Sequence, residues 1–288
     1  MILDVSKYNV SQEYYGGSER KIGLIINGEE YIIKFQKETN FGKKVNNHIC
    51  EYLGSHIFSL LGFRVHQTYL GFYKGEQVVI CKNFLSNNQQ FVPFNDVRDS
   101  FLDEDVDIFQ YEYEDIMELL RINPKLMNIN STIKIFWEMY VVDAIIGNFD
   151  RHGANWGFIK ENNKYYLSPI FDNGSCLFPR LVANDEIDNV LNSREEIDYR
   201  IYKFPTSHIK LNGKKRSYYE VINSLKYVEC NEAVISIYER LNINEIEQLI
   251  DKTPFVTERQ KRFYKTIIVE RFKNIVEVAY HKLKGGIK

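Results

Sequence analysis

The chain has 288 residues, of which 44% are hydrophobic and 26% charged, and its formal net charge at pH 7 is −2. These values are ordinary for a globular protein with room for two modest lobes or one large domain. A net charge near zero provides no overall basic field for nucleic acid, although it leaves room for a local basic patch. The longest apolar stretches are too short to cross a bilayer, so we expect neither a membrane partner nor direct nucleic-acid binding.

The cysteine pattern and the N-terminus indicate a cytoplasmic protein. The four cysteines are well separated, and the chain contains no C-x-x-C pair. The N-terminus lacks the apolar core of a signal peptide, so we expect reduced thiols rather than a disulfide framework. The six histidines are scattered without H-x-x-x-H or H-E-x-x-H spacing, which gives no support for a zinc site.

The first 82 residues predict a small antiparallel sheet with one helix. Asn27-Gly28 separates two apolar runs at 22–26 and 31–35, which is the strongest local signal for a β-hairpin. Strand alternation places Lys34 on the face opposite to Ile33. An apolar stripe at three- and four-residue spacing predicts a helix over 45–60 that ends at Gly62, and further strands follow at 65–72 and 77–81.

From residue 83 the pattern becomes polar, then acidic, and then mainly helical. A helical stripe over 133–145 ends at Gly147-Asn148, and a short hairpin fits 156–159 and 165–167. Helical patterns return at 231–241 and 258–283. The sequence therefore predicts an α+β protein with a small N-terminal lobe at 1–82 and a larger, mainly helical lobe at 83–288.

The residues that carry chemistry lie in two polar segments, at 148–156 and 170–175. Asp150 and Asn155 are separated as in D-x-x-x-x-N, the spacing of a protein-kinase catalytic loop. Asp172-Asn-Gly stands where a kinase has Asp-Phe-Gly. Phosphoryl transfer needs one carboxylate to orient and deprotonate a hydroxyl, and an amide and a second carboxylate to hold Mg²⁺ on the phosphates. The pattern therefore predicts a kinase that uses ATP and Mg²⁺, with Mn²⁺ as an alternative.

The position of a histidine refines this interpretation. His152 follows Asp150 by two residues, whereas typical protein kinases have their histidine two residues before the aspartate. The order D-R-H-x-x-N is similar to that of phosphoinositide lipid kinases and of the bacterial HipA-like kinases. The chain resembles the HipA-like family over most of its length, in particular the compact CtkA-like members, which the segments at 204–208 and 218–220 also resemble.

The resemblance assigns further nucleotide-binding residues. Gly16-Gly17-Ser18 stands in the place of the glycine-rich loop, although it is short and lacks G-x-G-x-x-G. Lys34 matches the lysine that holds the α- and β-phosphates. Glu51 matches its glutamate partner, although it lies off the main apolar stripe of its helix. The adenine hinge falls at 78–84, which assigns Val79 and Cys81 to the nucleotide site.

The resemblance also implies an overall function. It implies a two-lobed protein-kinase-like fold with ATP between the lobes, and transfer of phosphate to serine or threonine in a protein. Asn155 and Asp172 are the implied metal ligands, and Asp150 is the implied base. Toxin-type activity, an antitoxin partner with a helix-turn-helix, and inhibitory autophosphorylation at Ser18 are further family expectations.

Other interpretations of the same residues stay open. The D-R-H order also permits a lipid or small-molecule kinase of the phosphoinositide-kinase-like type. A catalytically inactive nucleotide-binding module is the third alternative, which the intact Lys34, Asp150, Asn155 and Asp172 disfavour. Taken alone, 150–152 would be an ordinary polar turn and 16–18 an ordinary surface turn.

Overall fold

The computed structural model describes residues 2–12, 20–99 and 111–285. The chain divides into two compact units, each built from segments that are distant in the sequence. The first unit contains Met1–Phe84, Pro169–Asn192 and Asn242–Lys265, and the second contains Leu85–Ser168, Ser193–Leu241 and Thr266–Lys288. The expected α+β class is confirmed, and the division of the chain into lobes at residue 82 stays a prediction.

The secondary structure follows the expected order of a β-rich first part and a more helical second part. The strands are β1 Leu3–Asp4, β2 Asn9–Val10, β3 Lys21–Ile26, β4 Glu29–Phe35, β5 Thr68–Tyr73, β6 Glu76–Lys82, β7 Gln90–Pro93, β8 Gly157–Glu161, β9 Lys164–Leu167, β10 Thr206–Leu211 and β11 Lys214–Ser217. The helices are α1 Asn47–Leu60, α2 Phe94–Asp99, α3 Tyr113–Ile122, α4 Ile129–Ile146, α5 Asn184–Asn192, α6 Arg194–Asp198, α7 Tyr218–Asn223, α8 Val228–Arg240, α9 Ile243–Lys252, α10 Glu258–Arg271 and α11 Val278–Leu283. π-Helical segments follow α6 at Tyr199–Lys203 and α10 at Phe272–Glu277.

The first unit is organised on a six-stranded sheet in the order β1-β5-β6-β4-β3-β2. Its pairs are antiparallel except for β1 with β5, which are parallel. The predicted β3–β4 hairpin is confirmed, and Asn27 and Gly28 both have positive φ, at 52° and 83°. Two positive φ angles are what a two-residue type I′ turn needs, and this explains why Asn-Gly is favoured there.

The two faces of β4 lie in different environments. Ile33 and Phe35 are buried in an apolar cluster together with Val78 and Ile80 of β6. Lys34 points to the opposite face, where it contacts α1. Most of the predicted apolar stripe of α1 is buried, since Ile49, Leu53 and Ile57 are each 0% exposed, whereas Leu60 at its end is 43% exposed. Alternation along one strand therefore places a lysine between the sheet and its helix.

The second unit is organised around α4, which is buried over most of its circumference. The helix packs against α3, α7 and α8. It ends at Gly147, whose φ of 64° is left-handed, and the N–H of Gly147 donates to the carbonyl of Asp143. This glycine cap turns the chain out of the helix and into the loop 148–156. The predicted glycine stop is therefore confirmed at the position that leads into the catalytic segment.

Arg271, the last residue of α10, is a fully buried cation in the second unit. Its Nε donates to the carbonyl of Ala144 in the last turn of α4, at 2.6 Å, and Nη1 donates to the carbonyl of Arg200. Burial lowers the pKa of Arg271 to about 9. The carbonyl end of a helix carries partial negative charge, so this contact stabilises both the guanidinium and the end of α4.

The hairpin β10–β11 was not predicted. It turns at Asn212-Gly213, where φ is 53° and 74°, so its turn has the same residues as the β3–β4 turn. Its flanking residues are mostly polar, and the sequence therefore lacks the apolar alternation that identifies a strand. The pattern over 258–283 is helical as expected, but a π-helical segment separates α10 from α11.

Among the residues that the structure describes, no helix combines the length and apolar character needed to cross a membrane.

His48 on α1 gives the first unit a predictable dependence on pH. It is 1% exposed and its Nε2 lies 3.3 Å from Oε1 of Gln77, and burial lowers its pKa to about 4. The unfolded chain, with a histidine pKa of about 6.5, binds more protons between these values. Burial of neutral His48 therefore leaves the free energy of unfolding at its full value above about pH 6.5. As the pH falls from there toward 4, the free energy of unfolding decreases by up to about 1.4 kcal/mol per pH unit.

His48→Gln should consequently flatten the decline in the free energy of unfolding between pH 7 and pH 5. Urea unfolding followed by circular dichroism at several pH values measures this slope. His281→Gln removes an exposed histidine and is the matched control. Equal slopes for the wild type and His48→Gln would show that His48 is not the source of this pH dependence.

Candidate active site

Three of the predicted site residues meet in the first unit around Lys34. Its Nζ lies 2.8 Å from Oδ1 of Asp172 and 3.3 Å from Oε2 of Glu51. Lys34 is 9% exposed, and the side chains of Glu51 and Asp172 are 2% and 30% exposed. One ammonium group is thus held between a buried carboxylate and a carboxylate that solvent can reach.

Glu51 uses its two oxygens for different partners. Oε2 accepts from Lys34 and from the backbone N–H of Gly174, at 2.9 Å, while Oε1 lies 2.8 Å from Nε2 of His66. Burial by itself would raise the pKa of Glu51, but Lys34 and His66 hold this pKa well below its usual value. The carboxylate therefore stays charged at any physiological pH. Sequence analysis missed His66, because a single histidine in a loop carries no spacing signal.

The segment 170–175 lies against α1 because of a glycine on that helix. A Cβ at Gly54 would lie only 2.5 Å from Cβ of Asn173, which is itself 0% exposed. Ile170 is fixed by backbone hydrogen bonds to Arg64 and His66. Asp172 has a φ of 58°, a left-handed conformation that is uncommon outside glycine and often found at functional sites. The local packing therefore determines where the Asp172 carboxylate points.

The predicted hinge residues lie on β6, next to this cluster. Val79 is the cross-strand partner of Lys34, so their side chains share one face of the sheet, and Cys81 follows two residues later on that face. Both are buried. The sulfur of Cys81 lies within 4.8 Å of a Glu51 oxygen and a His66 ring nitrogen. A role for Val79 and Cys81 in binding the adenine stays a prediction.

The predicted phosphate loop, Gly16, Gly17 and Ser18, lies outside the described residues.

The other two predicted catalytic residues lie in the loop 148–156 of the second unit. Nδ2 of Asn155 donates to the backbone carbonyl of Asp150 at 2.7 Å, and the backbone N–H of Asp150 donates to Oδ1 of Asn148 at 3.1 Å. Asn155 is 8% exposed, whereas the Asp150 side chain is 40% exposed. Oδ1 of Asp150 has two imidazole neighbours, since Nε2 of His152 and Nε2 of His208 each lie 3.7 Å away.

A buried ion pair joins this loop to α4. Nε of Arg151 lies 2.9 Å from Oδ2 of Asp143, and Nη1 donates to the carbonyl of Asn155. Asn148 donates to the same Asp143 carboxylate, and the hydroxyl of Tyr218 donates to the carbonyl of Asn148 at 2.8 Å. Asn148 and Arg151 thus tie the loop to one carboxylate on α4, and Arg151 extends this support to Asn155.

Sequence analysis assigned no role to Asp143 or Tyr218. It considered Arg151 only as a turn partner of Asp150. The available signal was the single carboxylate in the apolar run at 140–147, because a charge on a buried helix face needs a partner.

The sequence-predicted residues therefore form two sets. Lys34, Glu51 and Asp172 contact one another within the first unit. Asp150 and Asn155 are joined within the second unit. The first set joins one ammonium group to two carboxylates, and the second has an accessible carboxylate on a loop whose backbone is held by hydrogen bonds.

Comparison with protein families places this geometry in context. Residues 14–254 match the model of the HipA-like C-terminal domain. The chain belongs to the HipA-like family. It is 35% identical over 283 residues to the serine/threonine-protein kinase CtkA of Helicobacter pylori strain J99, and the match covers 94% of this chain and 85% of that protein.

Solved structures give the same result for the fold of this HipA-like chain. It matches the crystal structure of the Helicobacter pylori proinflammatory kinase CtkA with a TM-score of 0.92 and 32% identity, over 100% of both chains. It matches HipA of Shewanella oneidensis MR-1, solved with HipB and operator DNA, with a TM-score of 0.60 and 16% identity, over 95% of this chain and 67% of that one. The second match supports the fold alone.

These similarities test the predictions of the family, the fold and the class of enzyme. The resemblance to HipA-like and CtkA-like proteins is confirmed, as is the kinase-like fold. The expected class of enzyme, a serine/threonine protein kinase, is confirmed by the similarity to CtkA. The roles assigned to individual residues stay predictions.

The buried ion pair between Asp143 and Arg151 should contribute strongly to stability. Asp143→Ala would leave the Arg151 guanidinium buried without its carboxylate, and it should lower the free energy of unfolding by about 3–5 kcal/mol. Urea unfolding followed by circular dichroism measures the change.

The control variant is Asp198→Ala, which removes the carboxylate of a pair whose side chains are 60% and 41% exposed. The ion pair lost in Asp198→Ala should be worth about 1 kcal/mol or less. A loss in Asp143→Ala no larger than in the control would show that the buried pair is dispensable.

Proposed function

We propose that this HipA-like chain transfers the γ-phosphate of ATP to a serine or threonine hydroxyl of a protein. In this proposal Lys34 and Glu51 bind the phosphates, Asp172 and Asn155 hold the metal ion, and Asp150 accepts the proton of the hydroxyl. The observation that carries the proposal is the contact of Lys34 with both Glu51 and Asp172. Kinship with CtkA supports a protein acceptor over the lipid or small-molecule alternative.

The donor atoms fit a hard divalent cation. Asp172 offers a carboxylate that is 30% exposed in its side chain. The Asn155 amide nitrogen is engaged by the Asp150 carbonyl, which leaves the amide oxygen as the ligand atom. Oxygen donors of this kind suit Mg²⁺ or Mn²⁺ and disfavour Zn²⁺. When bound, MgATP supplies the phosphoryl group and a cation that neutralises its charge.

Lys34 is prepared to exchange one of its partners. Glu51 is nearly inaccessible and keeps its charge, so it holds the ammonium group on the sheet. Asp172 is more exposed, and its contact with Lys34 is the easier one to replace by a phosphate oxygen. Such a preformed lysine needs little reorganisation when nucleotide binds, which is how enzymes gain from electrostatic preorganisation.

Asp150 is suited to act on a second substrate. Its backbone is fixed by Asn148 and Asn155 while its carboxylate reaches solvent. A base fixed in this way can orient an incoming hydroxyl and accept its proton, and general-base catalysis contributes about 10²- to 10⁴-fold to rate. The side chain does not need to bind ATP for this task.

Partners and regulation extend the proposal by analogy. The Shewanella relative was solved with HipB and operator DNA as a toxin-antitoxin system, and by analogy an antitoxin-type protein is the proposed partner of this chain as a toxin-type kinase. Ser18 stays the proposed site of autophosphorylation. The cysteines Cys50, Cys81, Cys176 and Cys230 are all buried and form no disulfide bond, which is consistent with the proposed cytoplasmic location.

ATP binding should depend on a divalent cation. With Mg²⁺ or Mn²⁺ present, isothermal titration calorimetry should give an affinity for ATP at least about tenfold higher than with EDTA, because without a cation the Asp172 carboxylate repels the triphosphate. Equal affinity in the two conditions would exclude Asp172 and Asn155 as metal ligands.

Variants of the two aspartates should separate their roles. Asp150→Asn should reduce phosphate transfer by about 10²-fold or more and leave MgATP affinity nearly unchanged. Asp172→Asn should weaken MgATP binding as well as transfer. Asp185→Asn, on the exposed surface of the first unit, should change neither.

Radiolabelled ATP and calorimetry provide the measurements. Label on protein supports the proposal, label on lipid favours the runner-up, and no label indicates an inactive module. Loss of MgATP binding in a folded Asp150→Asn protein would mean that the two roles are reversed.

A further inference from the structure

The hairpin β10–β11 concentrates positive charge in a chain whose net charge is close to zero. Residues 199–219 contain six lysines and arginines and no aspartate or glutamate. On the hairpin itself, Lys214 and Lys215 are exposed and Lys210 is partly exposed. We call the group His208, Lys210, Lys214 and Lys215 the basic hairpin. It is the local basic patch that the overall charge does not reveal.

The hairpin buries one side and presents charge on the other. Ser207 and Ile209 are buried, whereas His208 and Lys210, which alternate with them, are partly exposed. Lys215 is the cross-strand partner of Lys210, and its Nζ lies 3.4 Å from Nδ1 of His208. Three basic side chains therefore share the outer face of the hairpin.

This arrangement does not stabilise the hairpin. Like charges on directly opposite residues of a strand pair are destabilising, and Lys210 faces Lys215. Among the described residues, no carboxylate lies within 4.0 Å of the ammonium groups of Lys210, Lys214 or Lys215. The nearby Glu112 accepts from the backbone N–H of Gly213 instead. An anion bound at these lysines would therefore relieve a repulsion that no described carboxylate neutralises.

The basic hairpin is next to the proposed catalytic base. Nε2 of His208 lies 3.7 Å from Oδ1 of Asp150, and a single imidazole ring separates that carboxylate from Nζ of Lys215. The hairpin is held there by the N–H of Lys210, which donates to the carbonyl of Tyr111 at 2.9 Å. A hydroxyl presented to Asp150 would thus have positive charge close beside it.

We propose that the basic hairpin binds acidic side chains that flank the serine or threonine to be phosphorylated. The proposal rests on the function proposed for Asp150. An extended peptide advances about 3.4 Å per residue, so the carboxylates reached by the lysines belong to residues within about three positions of the acceptor. The substrate class is therefore a protein with aspartate or glutamate close to the modified hydroxyl.

The chemistry of the hairpin favours carboxylates over nucleic acid. Residues 206–217 include no tryptophan, tyrosine or phenylalanine on which a base could stack. The formal net charge of −2 also gives no extended field to attract a polyanion.

Binding is tested with a fluorescent serine peptide flanked by glutamates and with the same peptide carrying glutamines. Fluorescence anisotropy at low salt should show that the full chain prefers the acidic peptide. Lys214→Glu with Lys215→Glu should weaken that binding on the order of tenfold. Lys164→Glu with Lys226→Glu makes the same charge change at exposed positions of the same unit and should leave it unchanged.

Selectivity of transfer is tested with radiolabelled ATP and serine peptides with glutamate, glutamine or lysine flanks. The wild type should label the glutamate peptide best, and Lys214→Glu with Lys215→Glu should shift the preference to the lysine peptide. A misfolded variant cannot produce such a reversal, so this result would directly support binding of the acidic substrate residues by the basic hairpin.

The outcomes separate this inference from the function on which it rests. Equal binding and labelling of acidic and neutral peptides would overturn the docking role and leave the kinase intact. Hairpin-dependent binding without label on any peptide or protein would overturn the proposed function and keep the docking role. A short DNA duplex that displaces the acidic peptide more effectively than unlabelled peptide does would reassign the hairpin to nucleic acid.

Discussion

Glu51 carries a negative charge where almost no solvent reaches it, and the first unit is arranged to satisfy that charge. An unpaired buried carboxylate would cost several kcal/mol. Lys34 from the sheet, His66 from the loop before β5 and the Gly174 N–H from the segment 170–175 all supply partners. Each of these groups comes from a different part of the unit. The need to pair one carboxylate therefore fixes the positions of Lys34 and of the segment that follows Asp172.

The second unit applies the same constraint to a different task. Asp143 on α4 is buried, and its partners Arg151 and Asn148 both belong to the loop that carries Asp150. The loop is thereby rigid at its backbone while the Asp150 carboxylate remains exposed. A surface loop needs such an anchor, because exposed segments otherwise open at little cost in free energy. In both units, the positions of the proposed site residues follow from the neutralisation of a buried charge.

Sequence analysis recovered the features that have local signals. The Asn27-Gly28 hairpin, the apolar stripe of α1, the Gly147 stop and the spacing of Asp150 with Asn155 are each encoded within a few neighbouring residues. Contacts between distant residues carry no such signal, and this explains why His66, Asp143 and Tyr218 were missed. The alternation along β4 correctly set Lys34 apart from the core. The doubt about Glu51 came from the apolar stripe of its helix, because a buried ion pair does not follow a hydrophobic pattern.

The hairpin β10–β11 shows a different limit of sequence reasoning. Its turn residues, Asn212 and Gly213, are the same pair that identified β3–β4, yet its strands carry charge instead of apolar residues. A search for hydrophobic periodicity therefore overlooks a strand pair whose outer face carries charge. Turn chemistry alone would have found it. Where turn signal and strand pattern disagree, the disagreement itself points to a surface with a task other than folding.

The position of Arg271 in the chain has a consequence for biosynthesis. Its guanidinium completes the end of α4, just before the loop that holds Asp150, and it also binds the carbonyl of Arg200. A nascent polypeptide that has not reached residue 271 lacks this donor, and each buried carbonyl left unpaired costs about 1–3 kcal/mol. Domains often fold as they emerge from the ribosome, but this one depends on a residue made 121 positions after Asp150. The hydrogen bonds that complete the end of α4, next to the loop 148–156, can therefore form only after nearly all of the described chain has been synthesised.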